Sequence, residues 1–409
     1  MEQNGQYNQR LSRRETRKKA RRRKLKIVLG VIVLIFVSSL SALGYMAAIQ
    51  HWLSGGPPAD GDRVPAETPN PPHSAPHSAP SAPPDAVPPD TDTAPERLRL
   101  MFVGDTMMDG NVAKVMLEKG DTYPLSEFMP ILQQADLVVA NLETAVGTSR
   151  RLAEKTYAFQ TDPARFALFV PLQGRLLFSL ANNHSMDAPL EETIAHLERM
   201  GYPYVGVGRN RDEAFRPYVS DINGVKIAIL GASRVIPTAD WAAGDHRPGM
   251  ASAYTDEPLL GAVRHWSRQV DHVIVFVHWG KERAAVPDAI QRQLAEKLLD
   301  AGARIIVGAH PHVLQEFHWT PEGQLIAYSL GNFVFTTSTD PAANDTAVLD
   351  ITLTKEDIAQ VRVWPGNIQF GLIRYLPAND PERPRLLQRL NELSPTICID
   401  ADGHIHPLH

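Results

Sequence analysis

From Leu98 onward, short apolar runs alternate with stretches of mixed polarity, and that alternation restricts the chain to an α/β fold with largely parallel strands in its first part. The runs lie at 98–104, 136–140, 176–181, 203–207, 225–231, 272–278, 304–309, 325–330 and 346–353. Between them, helices are expected at 110–119, 163–170, 189–200, 257–269 and 287–301, the last with a 3.6-residue apolar period. Near residue 376 the sequence PANDPERPR breaks the pattern. Residues 98–375 therefore read as one domain and 376–409 as an appended C-terminal extension with one helix near 384–393.

The chain ahead of this domain lives in other surroundings. Residues 1–26 carry eleven Lys/Arg against two Glu, a net of +9, which leaves −14 for the rest of a chain whose formal charge is −5. The next 23 residues, 27–49, hold no charged side chain. As a helix they would span roughly 34 Å, enough for the hydrocarbon core of a bilayer. The apolar stretch is longer than that of a cleaved signal peptide and lacks a clear cleavage site, so it reads as a signal anchor. The basic run keeps 1–26 in the cytoplasm and puts everything after His51 outside the plasma membrane, single-pass. No nucleic-acid partner is expected for a basic arm fused to a spanning helix. Residues 50–97, rich in Pro, Ala, Ser and Asp, cannot bury a core and read as a disordered, semi-rigid linker.

The unusual polar residues collect at the C-terminal ends of the expected strands: Asp105, Asn141, Glu143, Asn183, His184, His278, His310, His312 and Asn332. In α/β sheets that edge is where ligands bind. Each residue has a plainer explanation by itself, such as a helix N-cap for Asp105 or a satisfied core histidine for His278. Together they form a mixed N/O donor set suited to Mn²⁺, Fe or Zn²⁺, one ion or two, and poorly suited to Ca²⁺. The lone Cys398 leaves no disulfide, zinc-ribbon or thiol-redox chemistry within the chain. His310 and His312 flank Pro311, and an extended backbone there would turn both rings to one side. Three histidines of the C-terminal segment, His404, His406 and His409, read as a tail without a site.

In order, GDTMMDG (104–110), NLET (141–144), ANNHSMD (181–187), VHWGKE (277–282), GAHPH (308–312) and YSLGNFVF (328–335) resemble the motif series of CapA-type, PgsA-like poly-γ-glutamate capsule synthesis proteins. The resemblance covers about 98–340. That family is similar to calcineurin-like metallophosphoesterases, which implies a four-layer α/β/β/α sandwich with a two-metal centre. It further implies metal-ligand roles for Asp105, Glu143 (in place of a bridging Asp), Asn183, His278, His310 and His312. His184 takes the place of the proton donor to a leaving group, oriented by Asp187. This chain departs from the phosphoesterase pattern at Met107, where a ligand His is usual, and at Asn182, where a Gly is usual. A thioether is a poor ligand for hard divalent ions, so one ion would lose a ligand.

Two functions fit these residues. One is a metal-dependent hydrolase acting on a phosphoester or an amide polymer, using His184 as general acid. The other, implied most directly by the resemblance, is a subunit that holds an anionic polymer such as poly-γ-glutamate while membrane-embedded capsule synthase subunits make and export it. Either needs local positive charge on a domain of net negative charge. Metal ions would provide it, with Arg150, Arg151, Lys155, Lys281 and Arg283 as further candidates. Trp279, beside His278, reads as core packing or as a pocket wall.

Overall fold

A computed structural model describes residues 96–408. The basic tail 1–26, the spanning segment 27–49, the linker as far as residue 95 and His409 lie outside the described residues. Among the described residues, no helix is long and apolar enough to cross a membrane.

Every apolar run named above forms a strand. In chain order the main strands are β1 (Leu98–Thr106), β2 (Leu137–Leu142), β3 (Leu176–Ser179), β4 (Tyr204–Val205), β5 (Tyr218–Ile222), β6 (Val225–Ser233), β7 (His272–His278), β8 (Ile305–Ala309), β9 (Phe317–Trp319), β10 (Leu325–Ala327), β11 (Asp345–Leu353), β12 (Ile358–Gln369) and β13 (Leu372–Tyr375). The long helices are α1 (Gly110–Lys119), α2 (Leu190–Met200), α3 (Leu259–Trp266), α4 (Ala289–Asp300) and α5 (Glu382–Leu393). The expected helix at 163–170 is instead a 3₁₀ segment, Pro163–Leu172, begun by Asp162 as its cap and carrying Pro171 inside. Asp288 starts α4 with a full capping box to Gln291.

Two mixed sheets result. The first has the order β13-β12-β11-β1-β2-β3-β4, and the second β9-β10-β8-β7-β6-β5. In the first, β1, β2, β3 and β4 are parallel, while β11, β12 and β13 are antiparallel additions. In the second, β6, β7, β8 and β10 are parallel and the edge strands β5 and β9 antiparallel.

The period of two along a strand sorts side chains into three cores. From β1, Leu98, Leu100 and Phe102 enter a cluster shared with Ile227, Ile229, Ile274, Phe276, Ile305 and Val307 of the second sheet. Met101 and Val103 enter a cluster with Val112 and Met116 of α1 and Ile194 and Leu197 of α2. From β7, Val273, Val275 and Val277 face Leu259 and Val263 of α3 and Leu294 and Leu298 of α4. The sheets thus pack face to face, each with helices on its other side. The segment after residue 376 is no loose end: Leu386, Leu387, Leu390, Ile397, Ile399 and Ile405 join the cluster that lies between the sheets. Arg385 and Arg389 of α5 also pair with the buried Asp345 of β11.

Candidate metal centre

The parallel strands of both sheets end at one edge, and there the sequence-selected residues converge. On β1 a register shift between Val103 and Asp105 sets Asp105 opposite Asn141 of β2. The segment 331–333 closes on Asp105 from the other side: Asp105 N–H donates to Gly331 O (3.0 Å), and Phe333 N–H to Asp105 O (2.8 Å). Gly104 permits that approach, because a Cβ there would fall 2.0 Å from Gly331 O. The helix that follows is capped by Asp109 and not by Asp105, which is buried.

Asp105 Oδ1 accepts from Asn141 Nδ2 (2.7 Å), and Oδ2 lies 3.0 Å from His312 Nδ1 while accepting from His310 N–H (3.3 Å). His278 Nε2 lies 2.6 Å from Asn183 Oδ1 and 3.6 Å from Glu143 Oε1, and its Nδ1 meets Asn141 Nδ2 at 3.2 Å. His312 Nδ1 also donates to Asn332 Oδ1 (2.8 Å) and lies 3.9 Å from Glu143 Oε2. The rings of His278 and His310 are 4.7 Å apart, and those of His310 and His312 5.8 Å. Asn182, in place of the usual Gly, is a bracket: it donates to Asn141 Oδ1 and Leu142 O and accepts from His184 N–H.

The extended backbone expected at His310 is not what forms. His310 has φ 95° and His312 φ 57°. Pro311 restrains the residue before it only by sterics, worth less here than the ties made by the surrounding loops. Non-glycine residues in that region cost on the order of 1–3 kcal/mol each and persist where the surroundings over-determine them. The two rings converge through this strained turn, not through strand alternation.

Three groups of ligand atoms lie within 4.8 Å of one another: Glu143/His278/His310, Asp105/Glu143/His312 and Glu282/His310/His312. Glu143 belongs to two of them, as a shared carboxylate would. The donor set passes a direct test of fit. Glu143 is 1% exposed, and neither carboxylate oxygen has a hydrogen-bond partner; His310 Nδ1 is likewise buried and unpartnered. Buried polar atoms are normally satisfied, and a bound cation would satisfy these.

The electrostatics agree. Burial, with the Asp105 charge beside it, pushes the Glu143 carboxyl well above the usual range, against the pull of His312. Burial, then the neighbouring His310 and His312, holds His278 well below an ordinary imidazole. Burial and His312 push His310 down to about 4. At His312 burial opposes the charge, but Glu143 and the hydrogen bond to Asp105 outweigh it and lift the group to about 9. His278 and His310 are thus held in the neutral form that ligates a metal, while His312 faces both carboxylates.

His184 stands beside this group. Its Nδ1 is 2.7 Å from Asp187 Oδ2, and burial lowers its basicity despite that carboxylate. Lys155 pairs with Asp187, donates to Asn183 O and sits 5.2 Å from the Trp241 ring, so it is committed to the site's framework and is no free surface cation. Arg283 is similarly spent on Ser338 and Asp340, and Arg150 lies against Asp109 and Gln160. Trp279 is core: fully buried, it donates from Nε1 to Tyr328 O (2.9 Å). Sequence reasoning passed over Glu282, although it lies in the same VHWGKE motif as His278, because an exposed Glu in a loop carries no signal of its own.

Comparison with known proteins bears on these residues. Residues 99–337 match the family model Bacterial capsule synthesis protein PGA_cap. The chain is 34% identical over 277 residues to PGA biosynthesis protein CapA of Bacillus subtilis (strain 168), covering 66% of this chain and 72% of that one. It is 33% identical over 290 residues to Capsule biosynthesis protein CapA of Bacillus anthracis, covering 68% and 69%. Among solved structures, a novel phosphatase of Mycoplasma pneumoniae aligns at 13% identity and a TM-score of 0.36 over 72% of this chain and 98% of that one.

Proposed function

Since the chain belongs to the bacterial capsule synthesis protein PGA_cap family, we propose that it acts in poly-γ-glutamate capsule assembly or export, using the cleft at the joint edge of its sheets to hold divalent metal and, through it, the anionic polymer. In this reading residues 27–49 anchor it in the plasma membrane, with 1–26 inside, 50–97 as a stalk and the folded domain outside. Membrane-embedded polymer synthase subunits are its partners. The three apolar clusters support a four-layer α/β/β/α sandwich of the metallophosphoesterase type.

The observation that carries the proposal is Glu143, a buried carboxylate with two unpartnered oxygens among three imidazoles and a second carboxylate. Asp105, Glu143, Asn183, His278, His310 and His312 would hold Mn²⁺, Fe or Zn²⁺, one ion or two. Bound there, a metal supplies Lewis acidity and a concentrated positive field. That field matters because residues 27–409 carry −14 overall and repel a polyanion elsewhere. Asn141 and Asn332 orient Asp105 and His312 by direct hydrogen bonds. Asn183 meets His278 through its side chain and Lys155 through its carbonyl.

A second reading, hydrolysis of a phosphoester or amide of a cell-surface polymer, is favoured by the His184–Asp187 pair. With Nδ1–H given to Asp187, Nε2 is the atom left to accept a proton or return it to a leaving group. Holding a polymer does not require such a pair.

The test is metal analysis of the purified full chain in detergent, followed by titration with γ-glutamate oligomers before and after chelation, with a phosphodiester assay alongside. Metal-dependent oligomer binding without turnover, lost in His310→Ala and Asp105→Ala, is the expected result. Turnover lost in the same variants favours the second reading. A chain that holds no metal and binds oligomer equally well after chelation refutes the proposal.

A further inference from the structure

Met107 lies two residues after Asp105, and its sulfur is already engaged: Sδ accepts from Asp109 N–H at 3.1 Å, while its own N–H donates to Val334 O. An ion held by Asp105, Glu143 and His312 would have those three side-chain donors and none from Met107. The loop after β7 approaches His310 and His312 from solvent. It is tied to the loop after β8 at two points, Trp279 N–H to Ala309 O (3.1 Å) and Arg283 N–H to Pro311 O (2.8 Å). Glu282 lies between those ties. To make them the backbone takes positive φ at Gly280 (83°) and Arg283 (64°), facing the strained His310 and His312. A side chain at Gly280 would strike Gln291 at 2.7 Å.

The result is that a Glu282 carboxylate oxygen and ring nitrogens of His310 and His312 lie within 4.8 Å of one another. Neither flanking cation claims Glu282; Arg283 turns to Ser338 and Asp340. His310, only 5% exposed, has a buried Nδ1 with no partner. That nitrogen, already counted among the unpartnered atoms of the metal centre, stands beside the Glu282 carboxylate.

We propose that Glu282 is a metal ligand which, together with Asp105, Glu143 and His312, completes from the solvent side the coordination that Met107 cannot supply, while His310 serves with His278 at the other ion, so that the centre holds two divalent cations. The inference rests on the reading of the cleft as a metal centre. It adds a carboxylate from a solvent-side loop, and that oxygen donor inclines the position towards Mn²⁺.

The test is Mn²⁺ binding to the full chain in detergent, stripped by chelation, followed by equilibrium dialysis and electron paramagnetic resonance. Wild type is expected to take two ions, spin-coupled because both touch Glu143. Glu282→Gln keeps the size of the side chain at an exposed position, and its folding is checked by circular dichroism. It is expected to keep one ion with an uncoupled six-line spectrum and to bind the second at least about tenfold more weakly, since even partners behind the ligands are worth 10–100-fold. Two coupled ions of unchanged affinity in Glu282→Gln overturn the inference, as does a loss that disappears in about 0.5 M salt, which would mark through-space attraction. A single ion in wild type, unaffected by the substitution, overturns it and leaves the metal centre standing. A wild-type chain that takes up no Mn²⁺ overturns the metal centre itself.

Discussion

Glu143→Gln is expected to act in opposite directions with and without metal. In chelator, the substitution removes a buried carboxylate whose oxygens have no partner and which lies near Asp105. The amide that replaces it is unpartnered too, but an unsatisfied buried charge costs more than the about 1–3 kcal/mol of a neutral group, a difference partly offset by its attraction to His312. The variant should therefore be at least as stable as wild type, by up to about 2 kcal/mol. The described residues, 96–408, imply an unfolding entropy of roughly 0.65 kcal/mol/K near 60 °C, so 2 kcal/mol corresponds to about 3 °C in Tm. With Mn²⁺ at 100 times its Kd, wild type gains about 2.7 kcal/mol by mass action, or about 4 °C, and the variant almost nothing. Thermal unfolding of both proteins, each in chelator and in Mn²⁺, gives the four midpoints. Equal Mn²⁺-induced shifts in the two proteins would refute the assignment of Glu143 as the shared ligand. A large loss of stability in chelator would show that its carboxylate is satisfied in some other way.

Two further outcomes follow from the geometry. Gly104→Ala sets a methyl group against the backbone of Gly331 on a fully buried strand, and should cost about 1–3 kcal/mol and weaken metal binding through displacement of Asp105; an unchanged Tm would show that the 331–333 segment yields freely. His272 is held below its ordinary pKa chiefly by burial, against its hydrogen bond to Thr354 O, so the unfolded chain binds its proton more readily. The stability it contributes is present above about pH 6.5 and is lost as the pH falls below that value. Urea midpoints between pH 8 and 5 should fall less steeply in His272→Gln than in wild type, and identical slopes would refute the assignment.

Local pattern was legible wherever a strand was apolar for most of its length, as in β1, β6 and β7, because near-continuous burial on both faces leaves a near-continuous run in the sequence. β12, the longest strand, escaped notice: Pro365 and Gly366 interrupt it, and its exposed and buried residues give no clean run. β5 was missed for the same reason, being a half-exposed edge strand. The last thirty residues looked like an appendage because PANDPERPR is a local break, yet their leucines and isoleucines complete the core between the sheets.

The sequence by itself determined that six motifs would end strands with carboxylate, amide and imidazole side chains, since strand ends are marked by where apolar runs stop. Only the tertiary structure decided that these ends share one edge, that His310 and His312 converge through positive φ, that Lys155 is spent on Asp187, and that Glu282 reaches the cluster. Each depends on pairing between segments distant in the chain, such as β1 with 331–333 or the loop after β7 with Pro311, and no local run of residues encodes such a pairing.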